Sequence, residues 1–520
     1  MKIYYTSRKT LRTILVSIVV ITILAVIINY VLVNSQLSNR GPDYAGWDEE
    51  LVRLSDELPC YTLDVSFHEQ EKLVRAALQL DYTNNTGTGL GELYFILHPN
   101  AFSSRGDVPF PDDQLDQAYP EGFSEGYIDI LKVESDYGIA HEIEGERGEF
   151  LRVDLYTPLK AGDSIVLNME FEVKLPNSLG RFGYGEYTYN ITNWYPILAV
   201  YDREVGWSLY PYYDIGDPFY SDVANYKVTI TVPKDYEVAC TGVVNGITEY
   251  DDVNSWHIEA MVVRDFAWIL SDEFMVSEER VDDTLVKSYY YSRHSGTKAL
   301  EYGRDAIEIF NEYFGDYPYP QFSIVQADFY IGGMEYPNLV LNDKSLYNTG
   351  SQFMLEYVTV HETAHQWWYG LVGSDQVMES WLDEGLTEYS TVIYFEEKYG
   401  RERGQAIYEG LVEGKYQSYK NRLNALDQEQ DDTILKPTYQ FEDWMAYDAL
   451  VYGKGAMVFH NLRREMGDDT FKEVLTRYYN EMRFKNATTQ DLIDICNKVT
   501  NRDWKDFFED WLFDEFPSDE

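Results

Sequence analysis

Apolar and polar positions divide the chain into regions of different period. Thr13 to Val33, TILVSIVVITILAVIINYVLV, carries no charged residue, and as a helix it would reach across roughly 30 Å, the thickness of a bilayer's hydrocarbon core. The run exceeds the ~7–15 residues of a signal-peptide core, and no small-x-small cleavage site follows it, so it predicts an uncleaved signal anchor. Lys2, Arg8, Lys9 and Arg12 precede it, while its far side shows no charge before Arg40. Residues 1–12 are therefore expected in the cytoplasm, 13–33 in the membrane and the rest outside the cytoplasm. Residues 34–58 are polar, without strong periodicity, and read as a tether.

From Tyr61 to Phe274, short segments rich in Val, Ile, Tyr and Thr alternate with Gly, Pro, Asn and Asp. YTLDVSF, LRVDLYT, DSIVLNMEFEVKL, YKVTITVP and NSWHIEAMVV are examples. This pattern predicts antiparallel β structure, a sandwich or saddle over residues 59–280. The period then changes. SGTKALEYGRDAIEIFNEYFG, Ser295 to Gly315, opens on a good N-cap and repeats apolar residues at helical spacing. The strand-like FSIVQAD and NLVLND follow, and helical patterns dominate from Ser351 onward. The expected fold class is multidomain α+β, with a mixed α/β domain ending in helices over 281–520.

Acidic residues outnumber basic ones 89 to 42 in the 520-residue chain, a net charge of −47, which excludes nucleic acid as a natural partner. Three cysteines, Cys60, Cys240 and Cys496, cannot form a disulfide framework; Cys60 and Cys240 are the candidate pair. No C-x-x-C occurs, so a cysteine metal site is excluded. Nothing in these patterns sets an oligomeric state.

The chemistry concentrates in VHETAHQWWYG, Val360 to Gly370. On a helix, His361 and His365 project to one side about a turn apart, as two neutral imidazole ligands of zinc would. Glu362 lies about 100° around the axis, too far to join them but placed as a general base. With eight histidines in the chain, H-E-x-x-H arises by chance about 0.01 times, so an ordinary helix is a poor account of it. Glu384, in WLDEGLTEY, stands 18 residues beyond His365 and supplies a third, oxygen ligand. Two histidines and one carboxylate leave a position open, the arrangement of a catalytic zinc rather than a structural one. Glu388, a turn later, is placed to orient a ligand imidazole.

HETAH, the 18-residue spacing and Glu384 in WLDEG together resemble the zinc site of the gluzincin aminopeptidases, the aminopeptidase N type. IGGMEYP, Ile331 to Pro337, resembles their G-x-M-E-N exopeptidase motif, and DALVYGKGAMVFHNL, Asp448 to Leu462, resembles the segment carrying their catalytic tyrosine. The resemblance implies a thermolysin-like catalytic domain behind the β-rich one, one Zn2+ per chain and peptide substrates. It assigns Glu335 to the substrate α-ammonium, with Gly332, Gly333 and Met334 shaping that subsite, and Tyr452 to the oxyanion. The function implied is a membrane-anchored metallopeptidase removing N-terminal residues from peptides outside the cell. Two positions depart from the family pattern: Tyr336 replaces the motif asparagine, which is expected to alter amine recognition, and Asp383 replaces asparagine beside the third ligand. The chain also stops at Glu520, without the family's large C-terminal helical domain, which is expected to open the cleft. An endopeptidase or another metal-assisted hydrolase is the alternative, and a catalytically silent scaffold would require the loss of a ligand or base, which has not occurred.

Overall fold

The computed structural model describes residues 47–513, except 107, 349 and 428–430. The predicted anchor and the cytoplasmic segment lie outside the described residues. Among those described, no helix is long and apolar enough to cross a membrane. The end of the predicted tether is not a tether: Glu49–Ser55 forms helix α1, with Asp48 as its N-cap. Its acidic first turn favours that helix terminus, Leu51 is fully buried, and Glu50 pairs with Arg483.

The β-rich region is built on a seven-stranded sheet. Its order is Val243–Glu249, Val253–Val263, Ala224–Pro233, Cys60–His68, Leu73–Thr83, Ser164–Lys174, Tyr127–Glu134. Leu73–Thr83 and Ser164–Lys174 pair antiparallel along their whole length, from Leu73 opposite Lys174 to Thr83 opposite Ser164. In both strands every second side chain is buried, the period-two pattern read in the sequence. Inward residues such as Leu78, Leu80, Leu167 and Met169 each contribute about 1.5–3 kcal/mol by leaving water. Two four-stranded sheets and a two-stranded ribbon, Tyr201–Asp202 with Gly206–Trp207, pack in the same region. Cys60 lies in the seven-stranded sheet and Cys240 in one of the smaller sheets; all three cysteines are free, so the predicted bridge is absent.

The second region opens on a five-stranded sheet ordered Met275–Val281, Thr284–Tyr290, Gln321–Ala327, Leu339–Asp343, Gly333–Met334. The first two strands form a hairpin across the expected domain boundary at 280. Sheet membership therefore moves that boundary back to the stretch between Ser271 and Met275. Helix α2, Arg293–Tyr313, packs on this sheet. Helices α3, Gln352–Ala364, and α4, Trp381–Tyr399, pack on each other, and α5, Gly414–Leu426, and α6, Gly455–Met466, follow. Arg264 locks the two regions together. Its buried guanidinium donates to Tyr369 O at 2.7 Å, Ser221 O at 2.9 Å, Lys485 O at 2.6 Å and Asn486 Oδ1 at 2.5 Å.

Candidate metal centre

Helix α3 is buried over nearly its whole second half, as expected of a helix apolar on most faces. It carries His361 and Glu362, and His365 is its C-cap. Glu384 stands in the first turn of α4 beside Asp383, where the helix dipole favours carboxylates. Gly385 sets how closely α4 is approached: a Cβ there would lie 2.9 Å from the backbone of Gly455.

The two imidazoles converge. His361 Nε2 and His365 Nε2 lie 3.3 and 3.2 Å from the same Glu384 oxygen, Oε2. A ligating atom from each of the three residues lies within 4.8 Å of the others. The opposite ring nitrogens face carboxylates. His365 Nδ1 is 2.7 Å from Asp383 Oδ1, and His361 Nδ1 is 3.1 Å from Glu388 Oε2, though off the line of a hydrogen bond. The Asp383 hydrogen bond holds the proton on His365 Nδ1 and turns its Nε2 lone pair toward the common point, and the charge of Glu388 favours the same tautomer at His361. The two nitrogens and one oxygen thus fit a zinc ion with a position left open. Burial disfavours the His361 imidazolium, but Glu384 and Glu388 outweigh it and raise its pKa to about 9.

Glu362 lines the same cleft, a cavity of about 280 Å³. Burial lifts its carboxyl to about 7 against the pull of His361 and His365. Gly333 lies directly beside it: a Cβ at that position would meet Glu362 Oε1 at 2.1 Å. Gly332 has φ +104°, a conformation that glycine adopts without strain. Glu335 is buried, with a carboxylate oxygen within 4.8 Å of ligating atoms of Glu362 and His365. Tyr452, on a π-helical turn spanning Asp448–Lys454, donates to Glu384 Oε1 at 2.5 Å and stacks on His361 at 5.9 Å. Such turns recur at functional sites.

Residues 298–511 match the peptidase family M1 domain. The rice (Oryza sativa subsp. japonica) aminopeptidase M1-B is 24% identical over 400 residues, covering 71% of this chain and 42% of that protein. Aminopeptidase N of Lactococcus lactis subsp. lactis is 29% identical over 234 residues, covering 41% of this chain and 26% of that protein. The solved M1 zinc metallopeptidase of Deinococcus radiodurans shares the fold with a TM-score of 0.63 at 17% identity, covering 89% of this chain and 95% of that one. The second region of the chain is thus similar to the peptidase family M1 domain. The chain spans about two fifths of the length of the rice relative.

Tyr336 does not enter the cleft: its buried hydroxyl donates to Thr192 Oγ1 at 2.6 Å. Met334 does line the cleft, its Sδ accepting from Arg181 Nε at 3.0 Å. Asp383 has a task of its own, bonding His365 and accepting from Gln376. Sequence reasoning missed Arg181 and Asp217, which form an ion pair and line the cleft beside Glu335. Asp217, Glu335 and Glu384 each place an oxygen within 4.8 Å of the others. Lys415 and Asp448, also in the cleft, were missed as well. Arg181, Asp217 and Lys415 belong to no recurring motif, and Asp448, though it opens the segment that carries Tyr452, is marked only by its place in the fold.

Proposed function

We propose that this chain is a zinc aminopeptidase, held in a membrane by residues 13–33, with its catalytic body outside the cytoplasm. The observation that carries the reading is the convergence of His361, His365 and Glu384 beside the buried carboxylates of Glu362 and Glu335. A single zinc ion held by the first three would supply Lewis acidity to a peptide carbonyl and to the attacking water. Glu362, with a pKa of about 7, suits the base that takes a proton from that water and returns it to the leaving amine. Tyr452 offers its hydroxyl to the oxyanion, a contribution of about 3 kcal/mol when one such donor is removed. Glu335 accepts the substrate α-ammonium, and the need for that charged amine makes the enzyme an exopeptidase. A bound Tyr-Ser-Ala substrate in a Deinococcus neighbour, 15% identical with a TM-score of 0.59, supports peptides as the substrate class.

The test pairs short peptides in free-amine and N-acetylated forms with the wild-type chain and Glu335→Ala. Stepwise loss of N-terminal residues from the free peptides, with a loss of about 100-fold in Glu335→Ala, is expected. Internal cleavage of both forms would make the protein an endopeptidase, and equal losses on both would remove Glu335 from amine recognition. For the anchor, the chain should stay in the membrane pellet under alkaline carbonate and be digested by protease added to intact cells. Release by carbonate would contradict it.

A further inference from the structure

Beyond His361 the cleft ends in a contact that neither the metal ligands nor the family motifs account for. Lys415 stands in the first turn of α5, directly after a π-helical turn over Tyr408–Glu413. Its ammonium lies 2.8 Å from Asp448 Oδ1, 3.6 Å from Glu388 Oε1 and 5.1 Å from the centre of the Tyr452 ring. Tyr452 sits on the other π-helical turn. The two turns meet closely at Gly453, where a Cβ would lie 3.4 Å from both Val412 O and Tyr416 N.

Glu388 is the other half of the contact. Its side chain is 2% exposed; Oε1 accepts from Tyr357 at 2.7 Å and Oε2 faces His361 Nδ1 at 3.1 Å. A buried carboxylate with a single well-aligned donor is held in its charged form only if a cation stands by. Lys415 is that cation, and the partly exposed Asp448 holds it from the cleft side. A chain of charges thus runs from Asp448 through Lys415 and Glu388 to His361, and the same ammonium covers one face of Tyr452.

We propose that Lys415 is a positioning residue for the zinc site, holding Glu388 against His361 and the Tyr452 ring in place above it. The inference rests on the zinc-peptidase reading, but its main readout does not depend on peptide cleavage. The full chain and its Lys415→Met, Lys415→Arg, Glu388→Gln and double variants would be titrated with zinc against a chromogenic chelator, then assayed on free-amine peptides. Lys415→Met should bind zinc about tenfold more weakly and lose about tenfold in kcat, the usual size for a group that orients a ligand. KM should hold, the melting temperature should fall as the buried carboxylate loses its cation, and Lys415→Arg should recover most of the loss. In the Glu388→Gln background, Lys415→Met should weaken zinc binding no further, because the two act as one unit.

Unchanged zinc affinity in Lys415→Met would overturn the proposal, as would a full additional loss in the double variant. A rise in KM at constant kcat would also overturn it, making Lys415 a substrate contact. If Lys415→Met fails to fold, Asp448→Asn removes the outer anchor alone, and a smaller weakening of zinc binding is then required. A wild-type chain that binds zinc and cleaves no peptide sinks the peptidase reading alone, and the zinc titration still decides the role of Lys415.

Discussion

The two flanks of the cleft are built differently. One flank holds His361, Glu362, Glu388 and Tyr452, all from helices and turns of the catalytic half packed against one another. The other holds Arg181 and Asp217, which reach in from the β-rich region to Met334 and Glu335. On the proposed reading, zinc chemistry would reside in one region, whereas the surroundings of the substrate amine would depend on how two regions pack. Damage to the first flank should abolish turnover in a folded protein. Damage to the second should act through stability and selectivity.

The largest effect is expected at the first flank. Glu362→Gln keeps the ligands and removes the base, so kcat should fall by about 10²–10⁴ with zinc content near one per chain. Gly333→Ala should approach the same loss without replacing a charged residue, because its Cβ would meet Glu362 Oε1 at 2.1 Å and push it aside. Steady-state kinetics with metal analysis checks both. Full activity in Gly333→Ala would show that this strand does not set the position of the base.

A smaller effect, on stability, is expected where the two regions join. Arg264→Met strips donors from Tyr369 O, Ser221 O, Lys485 O and Asn486 Oδ1, all held between 2.5 and 2.9 Å. Leaving buried acceptors unpaired should cost about 3 kcal/mol, read as a lower urea midpoint. Zinc stoichiometry should not change. A midpoint that stays put would mean the β-rich wall is held by other contacts, and the contrast between the flanks would weaken.

The same contrast governs what could be read from the chain alone. His361, His365 and Glu384 were legible because two of them share a helix at fixed spacing and the third follows in a short, recognisable run. Period-two burial in Leu73–Thr83 was legible because alternation is local. Arg181 and Asp217 were not, since nothing local ties them to Glu335 well over a hundred positions later. The direction of the Tyr336 side chain was not legible for a related reason: a motif position says what a relative places there, while the hydrogen bond to Thr192 decides where this side chain points. The boundary near 280 falls a few residues late because a strand cannot show from its own pattern which sheet it joins. The helix α1 was hidden within a stretch too short to establish a period.

The smallest effect concerns pH and the backing of the second flank. His98 is buried against Tyr212 and Phe219, with ring centres 5.8 and 5.4 Å away and its Nδ1 without a partner. Arg181 rests on the same pair, donating to the Tyr212 hydroxyl at 3.4 Å and lying 5.5 Å from the Phe219 ring. Burial pushes the His98 pKa down from 6.5 to about 3. Between those values the unfolded chain binds a proton that the folded one refuses, so stability falls as pH drops below 6.5. One proton gives a slope of about 1.4 kcal/mol per pH unit, hence about 2 kcal/mol between pH 6.5 and about 5. Replacing His98 by Phe removes this term while the carboxylates titrate as before. The difference between the two urea-unfolding curves should therefore grow by about 2 kcal/mol over that interval. Parallel curves would show that His98 takes up its proton in the folded state, and that the wall beside Glu335 does not soften in acid by this route.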